Sequence, residues 1–428
     1  MTNRESETAF DLRRDRVAGR WGLTKEIVLV RSGAVLPMAA GSDMDHTFKP
    51  HPDFAYLSGR GIPDAVLAFD AQKNKWQMFG PRSTPDDQVW HQPAEPVGLP
   101  LEELAGWISL RSDQTVLEAW DDSKIQAGIA DERVHKDELE LSFLRTAALT
   151  SKSGFDWVYG NVSPGMTERE IQVGMEAEFF RAGAVRTAYP SIVAAGSNGA
   201  YLHYFYGQED SLNPATRTLR EGELLLIDAG GEFGGYASDV TRTMVVGAEP
   251  TDVQSFLWHL VLSAQELAID RCRPGQEWRE VHLDSARVIG SGLIELGLLR
   301  GDLDQLVSSG AVALFYPHGL GHLIGLNVHD AGGYPAGREP SSHPQSRYLR
   351  TDRLLEAGMI TSVEPGVYFI DALLKDPAVR ERFADEVVWD AVDPLRGFGG
   401  IRIEDDIHIT DDEPEVLSGD IGKPIRIG

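Results

Sequence analysis

The chain is short of three things, and each shortage excludes a class of protein. It has a single cysteine, Cys272, among 428 residues. No intramolecular disulfide can form, and a thiolate metal site is ruled out. It is short of positive charge, with 40 Lys and Arg against 66 Asp and Glu and a formal net charge of −26. That balance argues against nucleic acid and anionic membrane surfaces as partners and favours divalent cations. It also lacks long apolar runs. No stretch reaches the roughly 18 apolar residues of a membrane span, and Met1 to Phe10 carries no apolar signal core. The expectation is a soluble, cytoplasmic protein that binds neither nucleic acid nor membrane. What remains is ordinary for a globular chain, 42% hydrophobic and 25% charged, with length for two or three domains.

The most informative stretch runs from Glu223 to Val246. It reads as two apolar strands around a Gly-rich turn, with Asp228 on the outgoing strand and Asp239 on the returning one. A turn centred on Phe233–Gly234 sets the two almost opposite each other. Opposed residues on an antiparallel pair have Cβ atoms roughly 4.5–5.5 Å apart on one face. Carboxylates that close repel unless a cation lies between them. A solvated pair at a loop edge is the alternative, but Leu224–Ile227 is too apolar for an exposed edge.

Ahead of this stretch, residues 1–20 read as a polar helical lead-in. Strands are expected at Glu26–Leu36, Ala65–Asp70 and Trp76–Phe79, with an amphipathic piece at Leu101–Leu110: a small α/β domain. Its histidines, His46, His51 and His91, are isolated. From about residue 135, Leu141, Leu144, Ala148, Phe155 and Val158 recur at helical spacing. This places a domain boundary there, giving residues 1–134 and 135–428. Pro164-Gly-Met-Thr-Glu-Arg-Glu-Ile171 recurs as Pro274-Gly-Gln-Glu-Trp-Arg-Glu-Val281, each starting a helical pattern. Thr167 and Glu170 fit a capping box. The repeat favours an internal duplication, with a site between the halves.

The second half adds three clusters. Pro317-His-Gly-Leu-Gly-His-Leu-Ile-Gly-Leu-Asn-Val-His-Asp330 holds three of the chain's 12 histidines, His318, His322 and His329, too many for an incidental loop. Ser362-Val-Glu-Pro-Gly-Val-Tyr-Phe369 embeds Glu364 in an apolar strand, where a lone carboxylate is costly unless paired or bound to metal. Gly399-Gly-Ile-Arg-Ile-Glu-Asp-Asp-Ile-His-Ile409 reads as one strand, with isoleucines on one face and Arg402, Glu404, Asp406 and His408 on the other.

As a set, His318-Gly-Leu-Gly-His322, Val328-His-Asp330, Val363-Glu-Pro-Gly366 and Gly400-Ile-Arg-Ile-Glu404 resemble the pita-bread metallopeptidases, the family of methionine aminopeptidase, Xaa-Pro aminopeptidase and Xaa-Pro dipeptidase (prolidase). The likeness covers about residues 135–415. Residues 1–134 resemble, more loosely, the creatinase-like domain of the proline-specific branch. The resemblance implies an α+β architecture: a creatinase-like α/β N-terminal domain, then a pita-bread catalytic domain with pseudo-two-fold duplicated halves. It implies metal ligands Asp228, Asp239, His322, Glu364 and Glu404, holding two divalent ions around a shared hydroxide. Four carboxylates and one imidazole suit Mn2+, with Co2+ or Zn2+ able to substitute. Glu364 is then the proton shuttle, and His318 and His329 donate to the scissile carbonyl and oxyanion. His203 and Tyr189 match substrate-site positions, Arg402 orients ligand carboxylates, and Arg350 aligns with the prolidase arginine that binds the free carboxylate of a dipeptide.

An Xaa-Pro amide nitrogen carries no hydrogen, so recognition falls on ring shape and the neighbouring carboxylate. The expected activity is hydrolysis of Xaa-Pro dipeptides or short peptides by a homodimer. Xaa-Pro aminopeptidase action on longer peptides is the near alternative, and a non-catalytic pita-bread binding module the distant one. Such modules typically lose metal ligands, and all five are present.

Overall fold

A computed structural model describes residues 3–40, 42–92, 95–204 and 217–428. The chain divides into two units, Met1–Arg133 and Val134–Gly428. In the first, an initial helix Asn3–Trp21 leads into a mixed five-stranded sheet. Its order is Leu99–Pro100, Lys75–Gly80, Val66–Asp70, Glu26–Arg31 and Thr115–Glu118. Ile27, Leu29, Val66, Ala68 and Phe79 form its core. The strand expected to run to Leu36 stops at Arg31, because Gly33 adopts φ +92° and turns the chain out of the sheet. His51 serves the local backbone: its ring accepts from Asp53 N–H as the N-cap of the helix Pro52–Ser58.

The second unit repeats one plan. Helix Glu138–Asn161, closed by an Asp137/Glu140 capping box, packs on helix Glu168–Arg181, and antiparallel strands follow. Helix Asp252–Asp270, closed by a Thr251/Gln254 box, is followed by helix Trp278–Glu295 and a second set of antiparallel strands. Leu141, Leu144, Ala148, Phe155 and Val158 are all buried, as their 3.6-residue spacing requires.

The two Pro-Gly motifs are equivalent down to their hydrogen bonds. Gly165 and Gly275 both take positive φ, +94° and +86°. Gly165 N–H donates to Leu219 and Glu168 N–H to Arg217, at 2.9 and 3.0 Å; Gly275 N–H donates to Leu355 and Trp278 N–H to Arg353 at the same distances. Thr167 carries the expected capping box, whereas Glu277 caps its helix without a side-chain bond.

The sheet of the first half has the order Arg426–Ile427, Val240–Val246, Leu224–Ala229, Ile192–Ala195. Its two central strands are buried along their whole length, which explains why both read as continuous apolar runs. Among the described residues no helix is long and apolar enough to cross a membrane.

Candidate metal centre

The hairpin that carries Asp228 and Asp239 is turned by Gly234-Gly235, both at positive φ, +60° and +87°. Two such residues make the primed turn that matches strand twist. The turn therefore lies one residue later than Phe233–Gly234. Asp228 pairs with Thr241 rather than with Asp239. The slip moves the pair sum by two, so the side-chain parity survives and both carboxylates remain on one face. The Tyr189 hydroxyl spans the gap, 2.6 Å from Asp228 Oδ1 and 2.5 Å from Asp239 Oδ1.

The histidine loop lies along the edge of the strand Ile360–Val363. Ser362 N–H donates to His322, Glu364 N–H donates to Leu320, and Ile324 N–H donates to Ile360, at 2.8, 2.8 and 3.1 Å. This lateral pairing brings His322 and Glu364 together, with His322 Nε2 3.7 Å from Glu364 Oε1.

The run Gly400–Ile409 is not one half-exposed strand. It splits into Gly400–Arg402, paired with Gly366–Tyr368, and Asp405–His408, paired with Ile360–Val363. Glu404 sits at the break and bridges to Thr241. Both faces are covered, so Glu404, Asp405 and Asp406 are all buried, at 2%, 0% and 1% exposure.

These elements converge on one cavity of about 640 Å³. Asp228, Asp239, His322, Glu364, Glu404, His318, His329, His203, Tyr189, Arg350 and Arg402 all line it. Ligand atoms of Asp239, His322 and Glu404 lie within 4.8 Å of one another. Asp228 and Glu364 flank this trio.

The donor chemistry fits divalent cations. A carbonyl can only accept, so the 3.2 Å contact of His322 Nδ1 with Leu323 O places the proton on Nδ1. Nε2 then faces Asp239 Oδ2, 3.4 Å away. Against burial, Asp239 and Glu364 raise the ring's pKa. Nε2 therefore holds a proton toward these carboxylates and would give it up where an ion binds, as a metal-ligating imidazole must. The carboxylates crowd. Burial, followed by Asp239, Glu364 and Asp228, holds the Glu404 carboxyl well above its ordinary range. Burial pushes Asp228 up to about 6 against the pull of Arg402, and Glu364 up to about 7 against His322 and Arg402. Burial also opposes charge on Asp239, but the His322 contact outweighs it and keeps that carboxyl low. Cations between these groups would relieve both the burial and the repulsion.

Around the carboxylates runs a polar chain with a defined direction. His318 Nδ1 lies 2.8 Å from Gly319 O and so carries the proton. Nε2 must then accept from the Tyr368 hydroxyl, also at 2.8 Å. The Tyr368 oxygen in turn accepts from Arg402 Nη1 at 2.8 Å, and Arg402 Nη2 donates to Asp228 Oδ2 at 2.5 Å. Both nitrogens of His318 are thus engaged by the protein, and burial with the Arg402 charge pushes its pKa down to about 3. The donor role expected for it does not suit this geometry. His329 stacks edge-on against His322 at 4.3 Å, and burial, His322 and Arg350 push it down to about 3. His203 is lowered by burial, Arg350 and Arg402.

Three features escaped the sequence. Arg347 lines the cavity beside Arg350, its guanidinium over the Tyr348 ring at 4.6 Å; two arginines three residues apart in an acidic chain were the available signal. Thr241 Oγ1 donates to Glu404 Oε2 at 2.5 Å. Behind Glu404, Asp405 pairs with Arg242 and Lys423, at 2.8 and 2.7 Å. The last two join residues too far apart in sequence for any local pattern.

Residues 142–411 match the family described as metallopeptidase family M24, and residues 10–97 match the aminopeptidase P N-terminal domain. A probable Xaa-Pro aminopeptidase of Botryotinia fuckeliana is 32% identical over 88% of this chain and 85% of its own length. The Xaa-Pro dipeptidase of Rattus norvegicus is 38% identical over 67% of this chain and 58% of its own. The solved structure of proline aminopeptidase P II from Yersinia pestis superposes with a TM-score of 0.79 at 26% identity, covering 99% of this chain and 97% of that one.

Proposed function

We propose, since this chain belongs to metallopeptidase family M24, that it is an Xaa-Pro peptidase and that its preferred substrates are Xaa-Pro dipeptides. The observation that carries the reading is the gathering of five ligand-type side chains in one cavity whose wall also presents Arg350. Asp228, Asp239, His322, Glu364 and Glu404 would hold two divalent ions, with Mn2+ favoured by the mostly oxygen donor set. Such ions, when bound, polarise the scissile carbonyl and make a water nucleophilic near neutral pH.

The chain's own groups do the rest. Glu364, beside His322 and facing the cavity, takes the proton of the attacking water and returns it to the prolyl nitrogen. That nitrogen has no hydrogen of its own and must be protonated to leave. His329, kept neutral, donates to the carbonyl oxygen as negative charge develops there. His318 holds Tyr368, which with Asp228 fixes the Arg402 guanidinium. Arg350, beside His203 and His329, receives the free carboxylate of the dipeptide. A homodimer acting in the cytoplasm belongs to the same reading and rests on the family resemblance; sedimentation of the purified protein tests the first part.

A second reading has support of its own. The relative matched over most of both chains is named an aminopeptidase, and the cavity also presents Arg347, a second cation for a longer peptide. Rates on Ala-Pro and Ala-Pro-Ala decide between the two. The dipeptidase reading expects the dipeptide to be cleaved faster, and Arg350→Ala to raise its KM about tenfold while sparing the tripeptide. Preference for Ala-Pro-Ala overturns it in favour of the aminopeptidase.

A further inference from the structure

Glu168 is buried, at 5% exposure, outside the cavity and outside the capping box that flanks it. It is the first residue of its helix, where a carboxylate is favoured by the helix dipole. Its oxygens face inward and accept three hydrogen bonds: Ala195 N–H at 2.7 Å, the Asn198 amide at 2.9 Å and the Tyr204 hydroxyl at 2.8 Å. Its own N–H donates to Arg217 O at 3.0 Å. One residue therefore joins a helix, a sheet strand, the turn after it and Tyr204. Between these contacts lie Ile192, Leu202 and His203, which line the cavity.

The repeat shows that the Pro-Gly motif can be completed without a carboxylate at this place. The equivalent residue of the second half is Trp278, fully buried, with the same backbone bonds around it. An apolar side chain completes the motif there. A carboxylate in the first copy carries a burial penalty, and burial does raise its pKa. The difference between the copies lies in what the side chain reaches. Glu168 reaches the residue next to His203.

We propose that Glu168 is a positioning residue which, through Tyr204, sets the place of His203 in the cavity wall. The consequence for substrate binding rests on the peptidase reading above; the positioning itself does not. Tyr204→Phe removes one hydroxyl and keeps the ring. It is expected to raise KM for Ala-Pro about fivefold, the usual effect of one buried hydrogen bond. The turnover number should stay within twofold, with Mn2+ affinity unchanged. In a His203→Ala background the same substitution should change nothing further, since both act through one group. Glu168→Gln leaves its oxygen to Ala195 N–H and the Asn198 amide and turns its NH2 to the Tyr204 oxygen, which can accept instead of donating. It should stay close to the parent, whereas Glu168→Leu should match or exceed Tyr204→Phe. Equal, multiplicative effects of Tyr204→Phe in the two backgrounds would overturn the proposal. Histidine-selective NMR of the metal-free protein gives a readout free of activity. Tyr204→Phe is expected to shift or broaden His203 and leave His318 and His322 in place. An unmoved His203 signal would overturn the positioning role. An inactive parent whose His203 signal moves as expected would sink the peptidase reading alone.

Discussion

Glu404 and Asp405 are neighbours in the chain and equally buried, yet their surroundings treat them oppositely. Asp405 receives Arg242 and Lys423 at salt-bridge distance, with Ser418 Oγ at 2.6 Å and Gln265 Nε2 at 3.1 Å. Burial opposes its charge, but the two cations win, and its carboxyl stays below the ordinary range. Glu404 faces three other carboxylates and is held well above that range. One side of this strand is a finished ion-pair network. The other is a set of acids whose counter-charge the protein does not itself supply in full. The comparison separates what holds the fold from what the fold is for.

The largest expected effect breaks the finished side. Arg242→Ala leaves buried Asp405 with Lys423 as its remaining cation and takes the donor from the Glu404, Ile421 and Gly422 carbonyls, together a cost of about 3–5 kcal/mol. The melting temperature should fall steeply in the metal-free and metal-loaded protein alike. A loss under about 1 kcal/mol, as for an exposed pair, would show that the network does not carry this load.

Next comes a difference in sign. The folded-state pKa values of Asp228 and Glu364, about 6 and 7, lie above those of the unfolded chain, about 4. The stability these groups contribute is fully present below about pH 4 and is lost as pH rises through 7. Asp405 behaves the other way: its contribution is present above the ordinary carboxylate pKa and is lost as pH falls below it. His318 and His329, lowered to about 3, add stability as pH rises toward the unfolded imidazole value of about 6.5. The carboxyl contribution is therefore read by difference. In denaturant titrations of the metal-free protein between pH 5 and 7, Glu364→Gln should remove a downward component of about 1 kcal/mol per pH unit. Saturating Mn2+ should flatten that slope. A pH dependence that Glu364→Gln leaves unchanged in the metal-free protein would contradict the assignment.

The smallest effect sharpens the contrast. Glu404→Gln keeps the shape and the acceptor for Thr241 but removes one crowded charge. The metal-free variant should be about 1–2 kcal/mol more stable than the parent at pH 8, while its activity is lost. A destabilised variant would mean that Glu404 is already satisfied by the protein, like Asp405.

Much of this contrast was legible before any coordinates, and the parts that were not have physical reasons. The hairpin could be read because parity along a strand survives a one-residue error in the turn. Asp228 and Asp239 share a face whether the turn is at Phe233–Gly234 or, as found, at Gly234-Gly235. The capping box at Thr167 and Glu170 could be read because both partners lie within one helical turn. The split of Gly400–Ile409 could not. An unbroken alternation predicts one strand, and only the partners Gly366–Tyr368 and Ile360–Val363, in two different sheets, divide it. Arg242 and Lys423 looked like any other basic residues until the fold brought them to Asp405. Glu168 was hidden by the cap beside it. His318 was identified as a site residue, but its role depended on which atoms its two nitrogens meet.

The central claim is that Asp228, Asp239, His322, Glu364 and Glu404 together form a cage for two divalent ions. Calorimetric titration of metal-free protein with Mn2+ tests it most directly. The account predicts about two ions bound per chain, with protons released on binding because the crowded carboxyls start partly protonated. It also predicts a higher melting temperature, with Asp239→Ala removing binding. Failure of the parent protein to bind Mn2+, or undiminished binding by Asp239→Ala, would contradict it.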